Sequence, residues 1–248
     1  MIILKSISEI EKMRAANLVV RDVMDHMGAM VKPGVTTGEL NRVAEEMIRS
    51  RQARPAFKGY RGYNHALCTS VNEEVVHGIP GPRALKEGDI IGIDCGVLLD
   101  GFYGDMARTF AVGHVADEAA RLLKVTEESL YIGIDKARVG NRLFDISAAV
   151  QQHVESAGFS VVRDFVGHGI GTSLHEDPQI PNFGDTGTGV KLRAGMVFAL
   201  EPMVNAGGWK VHVLEDKWTV VTLDRSLSAH FEHSIAITED GPWILSGR

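Results

Sequence analysis

Four carboxylates and three imidazoles stand where an apolar interior ought to be. The stretch IGIDCGVLLDGFYGD (91–105) reads as a buried strand, a turn at Asp100–Gly101 and a returning strand, yet it carries Asp94 and Asp105. An isolated buried carboxylate costs several kcal/mol, so each needs a partner or a metal. Glu201 in ALEPM and Glu232 in FEHSIAIT lie in equally apolar runs. His77 stands in HGIPG, and His168 and His175 in VGHGIGTSLHE, whose glycines let backbone approach a site closely. Gathered in one cleft, the four acids would bring a charge of −4, which cannot persist uncompensated. Two divalent cations balance it, and one leaves it half open. Oxygen donors with a single imidazole suit Mn²⁺, Fe²⁺ or Co²⁺ better than structural Zn²⁺. Bridging carboxylates would hold such ions ~3.5–4 Å apart, with a water between them that is nucleophilic near neutral pH. The plainer alternative pairs each acid with a cationic side chain, Asp105 with Arg108 for instance.

The elements that must position these groups form a pattern that occurs twice. A helix is expected over residues 8–31, with Ser8 and Glu11 as a capping box and apolar residues at three- and four-residue steps, broken by a longer gap at Asn17. Pro33-Gly34 ends it, and Thr36 with Glu39 opens a second helix. FKGYRGYNHALCTSVNEEVVHGIPG, rich in glycine and aromatics, fits loops and short strands around a pocket. The hairpin follows, ending near Val112. Helices are then expected over 117–137 and 142–157, separated at Gly140, with loops and strands beyond.

Four blocks recur in order. PGVTTGELNRVAEEMI (33–48) lies over VGNRLFDISAAVQQHV (139–154), HGIPG (77–81) over HGIGT (168–172), LKEGDIIGID (85–94) over LRAGMVFALE (192–201), and GDMARTFAV (104–112) over HFEHSIAIT (230–238). Asp94 thereby falls on Glu201, Asp105 beside Glu232, and His77 on His168. The expectation is one catalytic domain, 1–248, built from a duplicated unit of about 6–115 and 117–245 around a pseudo-two-fold axis.

The 248 residues suffice for a core and a shaped pocket. A net charge of −6 argues against a general nucleic-acid binder, and no specific DNA binding is expected. Two cysteines, Cys68 and Cys95, suggest no disulfide framework, and no signal-peptide core or membrane-length apolar run occurs. A cytoplasmic protein outside any membrane is expected.

At these residues the sequence resembles the methionine aminopeptidases. SVNEEVVHGIPG, IDCGVLLDGFYGD, GHGIGTSLHEDP, ALEPM and FEHSIAIT match that family's motifs in order, and the resemblance covers essentially the whole chain. It implies an α+β pita-bread fold, two related halves with a curved, mainly antiparallel sheet covered by helices. It implies removal of the initiator methionine from nascent proteins whose second residue is small. By resemblance the metal ligands are Asp94, Asp105, His168, Glu201 and Glu232, with Asp105 and Glu232 bridging two divalent ions (Co, Mn or Fe, with Zn possible). Water bridged by the two metals would attack the scissile carbonyl with Glu201 as general base. His77 would contact the scissile amide without binding metal, and His175 would stabilise the oxyanion. The methionine pocket would involve Phe57, Tyr60, Tyr63, Cys68, His77, Leu174, His175 and Trp218. Asn72 and Ser228 would sit by a monovalent cation. Nascent chains, a transient ribosome contact and a monomeric state complete the expectation. The short Glu201–Glu232 gap and the absence of an N-terminal extension resemble the bacterial type I enzymes. Gly96 stands where several relatives have Thr or Ser, which removes a hydroxyl near Asp94. An X-Pro peptidase of the same fold and a metal-free peptide-binding protein of that fold are the rival readings.

Overall fold

The computed structural model describes residues 1–247. Helix α1 (Ile7–Met30) buries Ile10, Met13, Ala16, Val20, Met24 and Met27 along one stripe. Asn17 fills the gap in that stripe and is itself buried, its amide donating to Met13 O at 2.9 Å. The capping box is built from Ser6 and Glu9 rather than Ser8 and Glu11. Two S-x-x-E frames overlap here. The earlier one is used because Lys5 is still tied in extended form, its N–H donating to Gly195 O, which makes Ser6 the first residue free to turn. Helix α2 (Thr37–Ser50) starts as expected, Thr36 accepting the Glu39 N–H at 3.1 Å.

The strands Ile90–Leu99 and Phe102–Ala111 pair antiparallel without a slip, from Ile90 opposite Ala111 to Leu99 opposite Phe102. Asp100 and Gly101 close the turn with φ of +48° and +83°, the left-handed pair that matches strand twist. Leu67–Val71 and Arg54–Pro55 flank the first of these strands. Helix α1 lies across the hairpin, where only a glycine fits at position 104: a Cβ there would come within 2.7 Å of Asn17 N.

The second half repeats the plan. Helices α3 (Asp117–Lys136) and α4 (Leu143–Ser156) pack closely through Gly133, opposite Val150. They cover a five-stranded antiparallel sheet ordered Gly241–Ile244, His233–Thr238, Val197–Leu200, Gly167–Gly169, Glu176–Ile180. Each half also ties the start of its second helix to the turn before its central strand, by the bridges Thr36–Ala84 and Arg142–Lys191. Two smaller antiparallel sheets fill the remaining volume.

The two largest apolar cores lie under α1 and α2 and under α3 and α4, and two smaller clusters, one of them holding Phe57, Tyr63, Cys68 and Leu174, lie between them. The halves meet where Phe102–Ala111 runs beside residues 228–234. The Ser234 hydroxyl accepts the Asp105 N–H at 3.2 Å and donates to Asp105 O at 2.8 Å, and Thr109 brackets His230 in the same way. Glu232 N–H donates to Ala107 O at 2.8 Å. This seam carries the acids. No helix among the described residues is long and apolar enough to cross a membrane.

Candidate metal centre

Strand periodicity places the first two acids. Asp94 lies opposite Ala107 and Asp105 opposite Gly96, so they are diagonal neighbours on one face of the hairpin. The seam brings Glu232 beside them. His168 pairs with Ala199, two residues before Glu201, so pleating turns both toward the same face. The His168 Nδ1–H donates to Gly169 O at 2.9 Å, which leaves Nε2 as a lone pair aimed at the acids. That nitrogen is 3.5 Å from Glu201 Oε1 and 4.0 Å from Asp105 Oδ2. Ligand atoms of Asp105, His168 and Glu232 all lie within 4.8 Å of one another.

None of the four acids pairs with a lysine or arginine among the described residues. The alternative partner, Arg108, lies instead over the Phe110 ring at 5.2 Å. Asp94 Oδ1, Asp105 Oδ1 and Glu232 Oε1 are sealed from solvent with no hydrogen-bond partner. Burial pushes the Asp94 carboxyl up to about 7, although His230 pulls the other way and one edge of the side chain faces the cavity. Burial, reinforced by the neighbouring acids, pushes Asp105 and Glu232 well above the carboxylate range, and burial alone does so for Glu201. Burial holds His168 down at about 3, so it is neutral at physiological pH. Neutral imidazole, crowded acids and orphaned oxygens form a donor set that hard divalent cations fit.

Beside the acids opens a cavity of about 150 Å³, lined by Phe57, Tyr60, Tyr63, Cys68, His77, Leu174, His175 and Trp218 together with the acids and His168. Phe57, Tyr63, Cys68 and Leu174 are buried in its wall. Tyr63 donates to Leu67 O at 2.9 Å and meets Trp218 edge-on at 4.9 Å. Burial raises the Cys68 thiol well above its usual range, which leaves it an apolar wall and no nucleophile. At the mouth, the exposed His175 stacks on Tyr60 at 5.2 Å and leans on His168 at 4.3 Å. His77 has φ +59°, costly for a residue with a Cβ. The turn is held by Gly78, whose N–H donates to Ser70 Oγ, and by Thr69 N–H donating to Gly78 O.

The strand ladders revise one correspondence. Ser70 pairs with Gly92 and His168 with Ala199, each partner two residues before an acid, Asp94 or Glu201. Ser70 therefore holds the first-half position of His168. Seven residues further on, His77 and His175 occupy matching places at the cavity. Asn72 adopts φ +59°, its carbonyl accepts the Ser228 N–H at 2.9 Å, and its side chain is engaged by Asp89 and Ile90.

Three residues went unread in the sequence. His230 is buried, its Nε2 is 3.6 Å from Glu201 Oε2, and that nitrogen has no hydrogen-bond partner. Its position two before Glu232, on the same seam segment, was the available signal. Phe165 meets the His77 ring edge-on at 5.6 Å, and Arg61 lines the cavity mouth. Neither is marked by spacing.

A buried acid cluster of this kind beside an apolar pocket defines a metal-dependent hydrolase class, and comparison with known proteins agrees. The family model described as metallopeptidase family M24 matches residues 11–239. A protein of Clostridium perfringens named methionine aminopeptidase is 56% identical over 246 residues, 99% of each chain. The crystal structure of methionine aminopeptidase from Rickettsia prowazekii superposes with a TM-score of 0.98 at 45% identity, covering all of both chains. The prolidase of Pyrococcus horikoshii OT3 shares the fold alone, with a TM-score of 0.80, 20% identity and coverage of 99% of this chain and 63% of its own. The chain belongs to metallopeptidase family M24, and within it to the methionine aminopeptidases. Its architecture is that family's pita-bread fold, and it is a hydrolase.

Proposed function

We propose that this chain removes the initiator methionine from nascent polypeptides whose second residue is small, as a dinuclear metalloenzyme of the type I class. The observation that carries this reading is the set of four acids, Asp105 and Glu232 buried and Asp94 and Glu201 half-buried, without lysine or arginine partners and lining an apolar cavity. Asp94, Asp105, His168, Glu201 and Glu232 would hold two divalent cations. When bound, these ions return the acids to their charged form, polarise the scissile carbonyl and lower the pKa of water. Mn²⁺, Fe²⁺ and Co²⁺ match the oxygen-rich donors, with Zn²⁺ a further candidate.

The rest is done by side chains. Phe57, Tyr60, Tyr63, Cys68, Leu174 and Trp218 exclude water around a methionine side chain, whose flexible thioether suits aromatic walls. Glu201 takes a proton from the attacking water and passes it to the departing amine. His77, fixed by its strained turn, donates to or accepts from the scissile amide. His175, at the mouth, steadies the developing oxyanion. We read residues 1–248 as one catalytic domain from a duplicated unit, working as a monomer in the cytoplasm with transient ribosome contact. The buried, unpaired Cys68 and Cys95 suit that compartment. A monovalent cation would sit near Asn72 and Ser228, whose backbones meet where the Ser228 N–H donates to Asn72 O.

Peptide assays test this reading. Metal-stripped protein should be inert and should regain Met release from Met-Gly-Met with Mn²⁺, Fe²⁺ or Co²⁺, leaving Ala-Pro uncut. Cleavage of Ala-Pro would favour the X-Pro peptidase rival. Peptide binding by stripped protein, with no activity regained, would favour the metal-free rival.

A further inference from the structure

Residues 1–5 lie against the second half before the chain enters α1 in the first: the Met1 ammonium meets Asp177, and Lys5 meets Gly195 and Glu176. Lys5 N–H donates to Gly195 O at 2.8 Å, and the side chain then turns inward until only 5% of it is exposed. Its ammonium donates to Glu176 Oε2 at 2.5 Å and to Ile3 O at 3.1 Å. Glu176 is buried as well, at 8%, and its other oxygen accepts the Ser173 N–H at 3.2 Å. Gly171 lies between the two side chains: a Cβ there would meet both Lys5 Cε and Glu176 Oε1 at 2.5 Å. Gly171 N–H donates to Ser173 O, and Gly171 O accepts the Tyr103 N–H. Residues 171–175 belong to no helix or strand. One carboxylate, anchored by one ammonium, therefore shapes the segment that delivers Leu174 to the pocket and His175 to its mouth.

A buried ion pair is a poor source of stability, because desolvation offsets its attraction and an apolar pair would serve as well. What it supplies is direction, since the charges fix a geometry that apolar packing would leave loose. We propose that Lys5 is a positioning residue which, through Glu176, holds His175 in its working orientation. The proposal rests on the role given to His175 above and extends it to a residue 170 positions away in the chain, on a segment outside the cavity lining.

The decisive experiment is a double-mutant cycle, read by Met release from Met-Ala-Ser with Mn²⁺-loaded protein. Lys5→Met is expected to lower kcat about tenfold, a moderate loss for a misplaced catalytic group. KM and metal content should stay within about twofold of the parent's. In a His175→Ala background the same change should cost less than about twofold, because the residue it acts through is gone. Lys5→Arg should recover most of kcat. In metal-free protein, Lys5→Met should abolish the NMR cross-peak between the Tyr60 and His175 rings, a readout independent of activity. Should Lys5→Met not fold, Glu176→Gln reads the same contact from the other side. Unchanged kcat, losses that multiply in full with His175→Ala, or an undisturbed ring contact would overturn the proposal. A parent protein that releases no methionine would defeat the functional reading instead, and the ring contact would still decide the clamp.

Discussion

The two halves build their central strand pair differently. In the first half, Ile90–Leu99 returns through the two-residue turn at Asp100–Gly101. In the second, Val197–Leu200 meets His233–Thr238 only after an excursion of some thirty residues. That excursion carries Val211–Val213 and Val220–Thr222, and the latter pairs with Glu74–Val76 of the first half. Trp218 rides on it to the cavity, where it meets Tyr63 and His77. The acids come evenly from both halves, whereas the imidazole at the ladder position next to them comes from the second half alone, with Ser70 in its place in the first. The similar parts make a charge trap, and the dissimilar parts make a pocket with a handedness. A symmetric site could hold metals, but only an asymmetric one can tell one end of a peptide from the other.

Breaking the shared part should do the most damage. Glu201→Ala is expected to lower kcat about 10³-fold or more and to weaken metal binding, measured by steady-state kinetics and metal analysis. Breaking the unshared part should separate chemistry from metal. His77→Ala and His175→Ala should each lower kcat by about 10²-fold with metal content unchanged. Metal lost on His77→Ala would restore the simple block alignment, in which His77 is the mate of His168.

That alignment shows what the sequence could and could not convey. Turn and cap residues made the hairpin, α2, α3 and α4 legible, because Asp100-Gly101, Thr36 and Gly140 act locally. The acids were legible because charge in an apolar run demands a reason. Matching HGIPG to HGIGT counted residue type, but position in a sheet is set by hydrogen-bond register, which matches Ser70 to His168 and leaves His77 and His175 each seven residues further on. The start of α1 was ambiguous because two capping frames overlap and a distant carbonyl, Gly195 O, chooses between them. The placement of Trp218 and the clamp by Lys5 depend on contacts across more than a hundred residues, which no local pattern carries.

A third test uses pH. Asp94 is pushed up to about 7 from an ordinary 3.8, so in metal-free protein the folded state holds a proton that the unfolded state has lost. Stability is then greatest below about pH 4 for this group and falls as pH rises through 7. Metal-free protein should lose stability over that range, visible as a falling Tm to which Asp105, Glu201 and Glu232, also pushed up, add in the same direction. Asp94→Asn should flatten the slope, and bound metal should reverse it by preferring the charged form. A Tm that rises with pH in stripped protein, or one unaltered by Asp94→Asn, would contradict the burial argument.

The smallest effect concerns Gly96. A Cβ there would come within 2.6 Å of the Phe57 ring and 3.0 Å of Ala56 Cβ. Gly96→Thr should push Phe57 into the cavity and raise KM for Met-Ala-Ser severalfold, with metal content unchanged. Phe57→Leu in the same protein should return part of the loss, whereas a KM that stays put would mean the wall yields elsewhere.

The central claim is that acids from both halves are held together by a pair of dications. Anomalous diffraction from crystals grown with Mn²⁺ tests it most directly. The account predicts two peaks ~3.5–4 Å apart among Asp94, Asp105, His168, Glu201 and Glu232, with Asp105 and Glu232 touching both. Crystals that show no peak at these residues, or manganese bound only elsewhere while the protein remains active, would contradict it.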